Sequence, residues 1–255
     1  DPIGSRGLGD VYKRQDYRNA RACYRKVDRA LPKSHKAFEA SFQCLKCDYC
    51  LKNPDFSERV DIFFELYAQK YPNHKHLHSA RFLQAETLYA RKELEDAALI
   101  FSNIDRSSLD TKMQRELLFK RGWCLSESGQ FDGANRSFSR FLAEFPDDPR
   151  AAEAYNKRAE AHLSLGDYTS ALKDFEQTLA LNPAPTHAAF ALQGSARVLR
   201  GEKKYESMIA RYRRTLTEFP DLPVDTIANS NYWVGWGYYK LGKYDDAKRI
   251  MSELS

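Results

Sequence analysis

Along the chain a small or aliphatic side chain recurs four positions ahead of a large one: Ala20/Tyr24, Val60/Phe64, Ala97/Phe101, Ala134/Phe138, Ala171/Phe175, Met208/Tyr212 and Ala247/Met251. Four positions is about one turn of an α-helix, so each pair shares a face. The small member lets a neighbouring helix approach, and the large one fills the space a turn along. The first members are spaced by 40, 37, 37, 37, 37 and 39 residues. Another small residue precedes each block (Ala85, Gly122, Ala159, Ala196, Gly235). Gly129, Gly166 and Gly242 each stand two places before an aromatic (Phe131, Tyr168, Tyr244), where glycine permits the left-handed turn that closes a helix. Asp16, Asp132, Asp167 and Asp245 fall near the starts of second helices, at the positive end of the helix dipole. Pro32, Pro72, Pro146, Pro183 and Pro220 end the units, since proline lacks the amide hydrogen that continuation needs, and Leu109 stands where a further proline is due. The pattern predicts an all-α chain of helix hairpins. One hairpin cannot bury its apolar stripe alone, so neighbours must stack into a solenoid.

The residues Gly122, Leu125, Gly129, Phe131, Ala134, Phe138 and Pro146 resemble the signature of the tetratricopeptide repeat family. Ala159, Gly166, Tyr168, Ala171, Phe175 and Pro183 repeat it, as does the stretch from Tyr238 to Ala247. The resemblance covers residues 16–255 and implies a right-handed superhelix of antiparallel helix pairs. It divides the chain into a half repeat (16–33), repeats at about 34–73, 74–111, 112–148, 149–185 and 186–223, and a truncated repeat (224–255). The period exceeds the family's usual 34 or so by about three residues. The extra length sits in joints such as Phe145–Pro149 and Phe219–Pro223. Those joints look like the ones in bacterial cell-envelope repeat proteins, of the Tol–Pal coordinator and outer-membrane assembly lipoprotein kind.

In this family the first helix of each hairpin lines the inner curve. The register carries that role to Phe42, Leu45, Tyr49, Phe82, Glu86, Tyr89, Glu116, Phe119, Trp123, Glu127, Asn156, Glu160, Gln193, Arg197, Arg200, Tyr232, Trp236, Tyr239 and Lys240. Aromatic side chains on an open wall give stiff contact area at little entropic cost. The resemblance therefore implies a non-enzymatic adaptor that holds a peptide or a partner's helix in a groove of mixed charge. The bland alternative is that the same aromatics pack between adjacent first helices. Another is a recruiting or regulatory region of a larger enzyme or envelope assembly protein.

Composition narrows the picture. Of 255 residues, 42% are hydrophobic and 29% charged, which suits a packed fold rather than disorder. Twelve glycines and ten prolines are too few for an all-β chain with frequent tight turns. No apolar run approaches the roughly 20 residues of a spanning helix, so direct membrane insertion is not expected. The opening Asp1–Gln15 matches nothing downstream. Asp10–Gln15 is what the transposon end of a sequencing adapter encodes, so the segment is read as non-native and disordered. It carries three basic and two acidic residues, which lowers the remaining net charge from +5 to +4. Both ends read as cut, and uncapped solenoid ends predict self-association.

Candidate chemistry is sparse. Cys44, Cys47 and Cys50 form C-x2-C-x2-C, but the fourth position of an iron–sulfur run is Pro54, and a closed zinc site wants four ligands. The cysteines read as small buried hydrophobes. His74, His76 and His78 could join them at zinc, yet alternate residues at a helix start point apart, so no metal or cofactor is expected. Five cysteines without paired spacing favour a reducing compartment, against the envelope resemblance, which is preferred by a small margin. Arg211, Arg213 and Arg214, with Arg197, Arg200, Lys203 and Lys204, make one repeat basic. The first of these groups belongs to a second helix and faces away from the second group, so a solvated face is expected rather than nucleic-acid binding. No G-x-S-x-G, H-E-x-x-H or phosphate loop is present, which points away from an enzyme.

Overall fold

The computed structural model describes residues 4–32 and 34–252, and among these there are helices and turns but no strand. A single helix, α1 (Gly4–Ala30), is followed by six hairpins. These are α2 (His35–Cys50) with α3 (Phe56–Tyr67), α4 (Lys75–Ala90) with α5 (Leu94–Ser102), and α6 (Thr111–Glu127) with α7 (Phe131–Glu144). There follow α8 (Ala151–Ser164) with α9 (Tyr168–Ala180), α10 (Pro185–Gly201) with α11 (Tyr205–Glu218), and α12 (Val224–Lys240) with α13 (Tyr244–Ser252). The chain divides into two compact units, Asp1–Cys124 and Leu125–Ser255. Within each, a second helix packs on its own partner and on the next first helix, as α9 does on α8 and α10. Among the described residues, α1 runs without a break from Gly4 to Ala30. Once residues 16–30 are helical, extension adds one hydrogen bond per residue fixed.

The small/large pairs form the interior. Ala97, Phe101, Ala134, Phe138, Ala171, Phe175, Met208 and Tyr212 are all essentially inaccessible. Hairpin α2–α3 departs from the pattern. Val60 is buried, but Phe63 and Tyr67 take the interior while Phe64 is only half-buried. Across the hairpin, α2 presents the buried rings of Phe38 and Phe42 to this face. Phe63 stacks on Phe38 at 5.5 Å between centroids. Phe64 is left to carry the guanidinium of Arg81, 3.8 Å from its ring centre.

Asp174 and Asp48 are buried within these stacks. Asp174 of α9 accepts two bonds from Arg158 of α8, at 2.7 and 2.6 Å. Asp48 of α2 meets Arg21 of α1 at 2.8 Å and Arg59 of α3 at 3.0 Å. Burial pulls the pKa of Arg21 down against the opposing pull of Asp48. Where proline is missing before α6, a 3₁₀ turn (Arg106–Ser108) does its work. Asp105 accepts from the Ser107 amide at 3.0 Å, and Leu109 is buried.

Gly129, Gly166 and Gly242 adopt φ of 71°, 78° and 73°, as their place before each second helix requires. The equivalent turns of three other hairpins use Lys52, Lys92 and Lys203 at φ of 52°, 66° and 58°. A side chain in that region costs roughly 1–2 kcal/mol. Glycine gives part of this back through its freer unfolded state. Lys92→Gly and Lys203→Gly are each expected to raise unfolding free energy by about 1 kcal/mol in urea titrations. A fall would show that the lysine stems contribute packing that outweighs the strain.

Candidate functional site

First helices of successive hairpins touch one another, as α2 does with α4 and α8 with α10. Side chains in the seam between them are enclosed, and those one helix face away remain open. The structure therefore splits the residues that the register assigns to an inner wall. Phe42, Leu45, Phe82, Phe119 and Asn156 are only 3–5% exposed and are enclosed within the fold. Phe42 lies flat against the His76 ring at 4.1 Å, and Asn156 donates to the His187 carbonyl at 3.0 Å, tying α8 to α10.

In the first unit the wall is knitted by charge. The Tyr49 hydroxyl reaches Glu86 at 3.5 Å, and the Lys120 ammonium bonds the same carboxylate oxygen. Lys120 also lies 5.3 Å from the Tyr89 ring centre and 3.7 Å from Glu116. Burial, followed by the Glu86 charge, pushes the Tyr49 phenol up to about 12. The other Glu86 oxygen, Oε1, is buried and has no hydrogen-bond partner among the described residues. Tyr49 and Glu86 also line a cleft of about 400 Å³ with Asp48, Phe56, Thr87 and Arg91. Phe119 and Trp123 are tilted neighbours on α6, 6.3 Å apart, with Trp123 half-buried.

In the second unit Lys157 joins Glu127 at 3.2 Å and Glu160 at 3.4 Å, and Arg197 approaches Glu160 at 3.9 Å. Farther along, Gln193 of α10 donates to Ser230 of α12 at 3.0 Å. Between these helices opens a cleft of about 260 Å³, lined by Phe190, Gln193, Arg197, Arg200, Asn229 and Trp233. Arg200 stacks over the Trp233 ring at 3.9 Å, and Arg197 is 47% exposed on its side chain. Trp233 contacts Trp236 edge-on at 5.5 Å and Tyr232 at 5.1 Å. Lys240 sits over both Trp236 and Tyr239 at 5.2 and 5.9 Å. Tyr232 and Tyr239 are about half exposed, whereas Trp236 also packs on the Met208–Tyr212 core.

Trp233, Asn229 and Phe190 are the wall residues that the register passes over. Each lies one helical turn or less from an assigned position. The basic α11 is occupied within the chain. Arg211 pairs with Glu176, Arg214 bonds Glu218 at 2.6 Å, and Arg213 lies 5.4 Å from the Tyr238 ring. Cys47 and Cys124 are buried, Cys44 is half-buried and Cys23 and Cys50 are exposed, none of them in a disulfide. No helix among the described residues is long and apolar enough to cross a membrane.

The family model described as tetratricopeptide repeat matches residues 119–186 and 156–223. Among curated proteins, superkiller complex protein 3 of Homo sapiens is 28% identical over 102 residues, which is 40% of this chain and 6% of that protein. Its Mus musculus counterpart is 35% identical over 66 residues, 26% of this chain and 4% of that protein. The chain thus spans less than a tenth of the length of either relative. Among solved structures, apo RapI superposes with a TM-score of 0.66 at 12% identity, over 96% of this chain and 75% of that one. The C-terminal part of a TPR repeat-containing protein from Cytophaga hutchinsonii gives 0.63 at 15%, over 96% and 93%. MamA gives 0.58 at 18%, over 69% and 89%. At such identities these structures speak for the fold alone.

Proposed function

We propose, from the premise that this chain is a tetratricopeptide repeat protein, that it is an adaptor whose α10–α12 wall holds a segment of a partner protein. Tetratricopeptide solenoids are protein–protein interaction scaffolds, and the finer reading rests on one observation. The Arg200 guanidinium is stacked on Trp233 and lines an open cleft, and no carboxylate lies within 4.0 Å of it among the described residues. Arg197 beside it on α10 has only a long ion pair among the described residues, and Tyr232, Tyr239 and Lys240 lie with Trp233 on α12. A partner segment with acidic and aromatic side chains complements that row, through charge-assisted hydrogen bonds to the guanidinium groups and ring stacking along α12. Membership of a larger assembly is favoured by the small share of the curated relatives that the chain spans, and by the printed name of those relatives as a complex component.

The test is selection from a random displayed-peptide library on the whole chain, followed by titration of the enriched peptides. Acidic–aromatic peptides are expected to enrich. Arg200→Ala and Trp233→Ala should each weaken binding by about 2 kcal/mol, the scale of an interface hot spot. Trp233→Ala and Trp236→Ala are both expected to lower the melting temperature as well, because both rings also pack on the core, whereas Arg200→Ala is expected to weaken binding alone. Peptides that bind all three variants as well as the parent chain would remove this wall as the site.

A further inference from the structure

We infer that His35, Glu39 and His74 form a binding site for a divalent transition-metal ion of the zinc class, clipping hairpin α2–α3 to the start of α4. The sequence groups the H-K-H-L-H histidines with the cysteines, but the fold separates them. His78 turns away to accept from the Asp105 amide at 3.3 Å. His74 instead meets two residues from the first turn of α2, which lie four positions apart on one face. Donor atoms of His35, Glu39 and His74 all lie within 4.8 Å of one another. Nε2 of His35 and Nε2 of His74 are each 3.9 Å from Glu39 Oε1. Tetrahedral ligands at about 2.0–2.1 Å from zinc stand roughly 3.4 Å apart, so the two histidine–Glu39 separations close by about half an ångström and the separation between the two histidines by up to about 1.4 Å.

The surroundings hold these donors in place. His76 Nε2 bonds the other Glu39 oxygen at 2.8 Å, fixing the carboxylate as an outer partner would. The His74 ring is braced edge-on against Phe38 at 4.8 Å, and His35 remains largely exposed for entry. Two imidazoles and one carboxylate with an open fourth position suit zinc, cobalt or nickel rather than calcium or magnesium. Binding has one internal cost. His74 Nδ1 accepts from the His76 amide at 3.2 Å, so coordination through Nε2 moves the ring proton to Nδ1 and gives up this cap bond. That amide is one of the first in α4, where water can take over.

The experiment is zinc titration of the full chain against a chromophoric chelator, paired with cobalt absorption spectra. One equivalent is expected, with visible d–d bands of a nitrogen–oxygen site and no sulfur-to-cobalt charge transfer. His35→Ala and Glu39→Gln should each weaken zinc by at least about tenfold. The triple variant Cys44→Ser/Cys47→Ser/Cys50→Ser should retain it, and circular dichroism should show every variant to be helical. Failure to retain zinc, a thiolate charge-transfer band, or unchanged affinity in the His35→Ala/Glu39→Gln double variant would overturn the assignment. None of these readouts depends on the α10–α12 cleft.

Discussion

Gly194→Ala is expected to destabilise the second unit by about 3 kcal/mol, the upper range for overpacking a closed core. An added β-carbon at this position in α10 would lie 2.2 Å from Cζ of Phe175 and 2.5 and 2.7 Å from its two Cε atoms. The ring cannot yield, because it is wholly inaccessible and enclosed by Ala159, Ala171, Ala191 and Val198. Gly237→Ala, which meets the flexible Cε end of Met208 and Cγ1 of Ile209 at 2.6 Å each rather than a closed aromatic ring at 2.2 Å, should cost less. A double-mutant cycle separates collision from helix propensity, since alanine is otherwise the better helix former. Phe175→Ala alone should cost about 3–5 kcal/mol, through lost burial and the void left behind. With the ring gone, the alanine at 194 enters that void, so the pair should cost at least about 1 kcal/mol less than the sum of its members. Strict additivity in urea denaturation would mean that the close approach is not the cause.

Arg158→Met should cost about 3–5 kcal/mol, because it strands a buried charge rather than because the pair itself is strongly stabilising. Asp174 is 3% exposed and takes both of its short bonds from the one guanidinium. His162 stands 3.9 Å away, beyond hydrogen-bond distance. The double variant Arg158→Met/Asp174→Leu removes both charges and fills similar volume, so it should regain most of the loss. If the double variant is as unstable as Arg158→Met, the pair's worth lies in its geometry and not in avoided desolvation. Thermal and urea unfolding of the three chains decides between these outcomes.

The same contrast marks how far the candidate wall was legible. Tyr239 and Arg197 are open, as their register positions imply, whereas Phe42 and Phe82 at similar positions are closed. Nothing in the spacing of aromatics separates a seam from a wall. A first helix presents both on adjacent faces, and a rotation of a few tens of degrees moves a residue from one to the other. For this reason the register gives no sign of Trp233 on the wall, nor of Phe63 taking the interior in place of Phe64.

The amino-acid sequence alone determined the helix hairpins, their period and the left-handed glycine turns. Those depend on contacts four residues apart and on single-residue backbone freedom, and both repeat along the chain. Only the tertiary structure decided which of two faces meets water, which lysines accept a left-handed turn, and that His74 joins His35 and Glu39 rather than its neighbours in the chain. Such outcomes follow from how one hairpin seats against the next, and packing angles between helices are set by all the side chains in the seam at once.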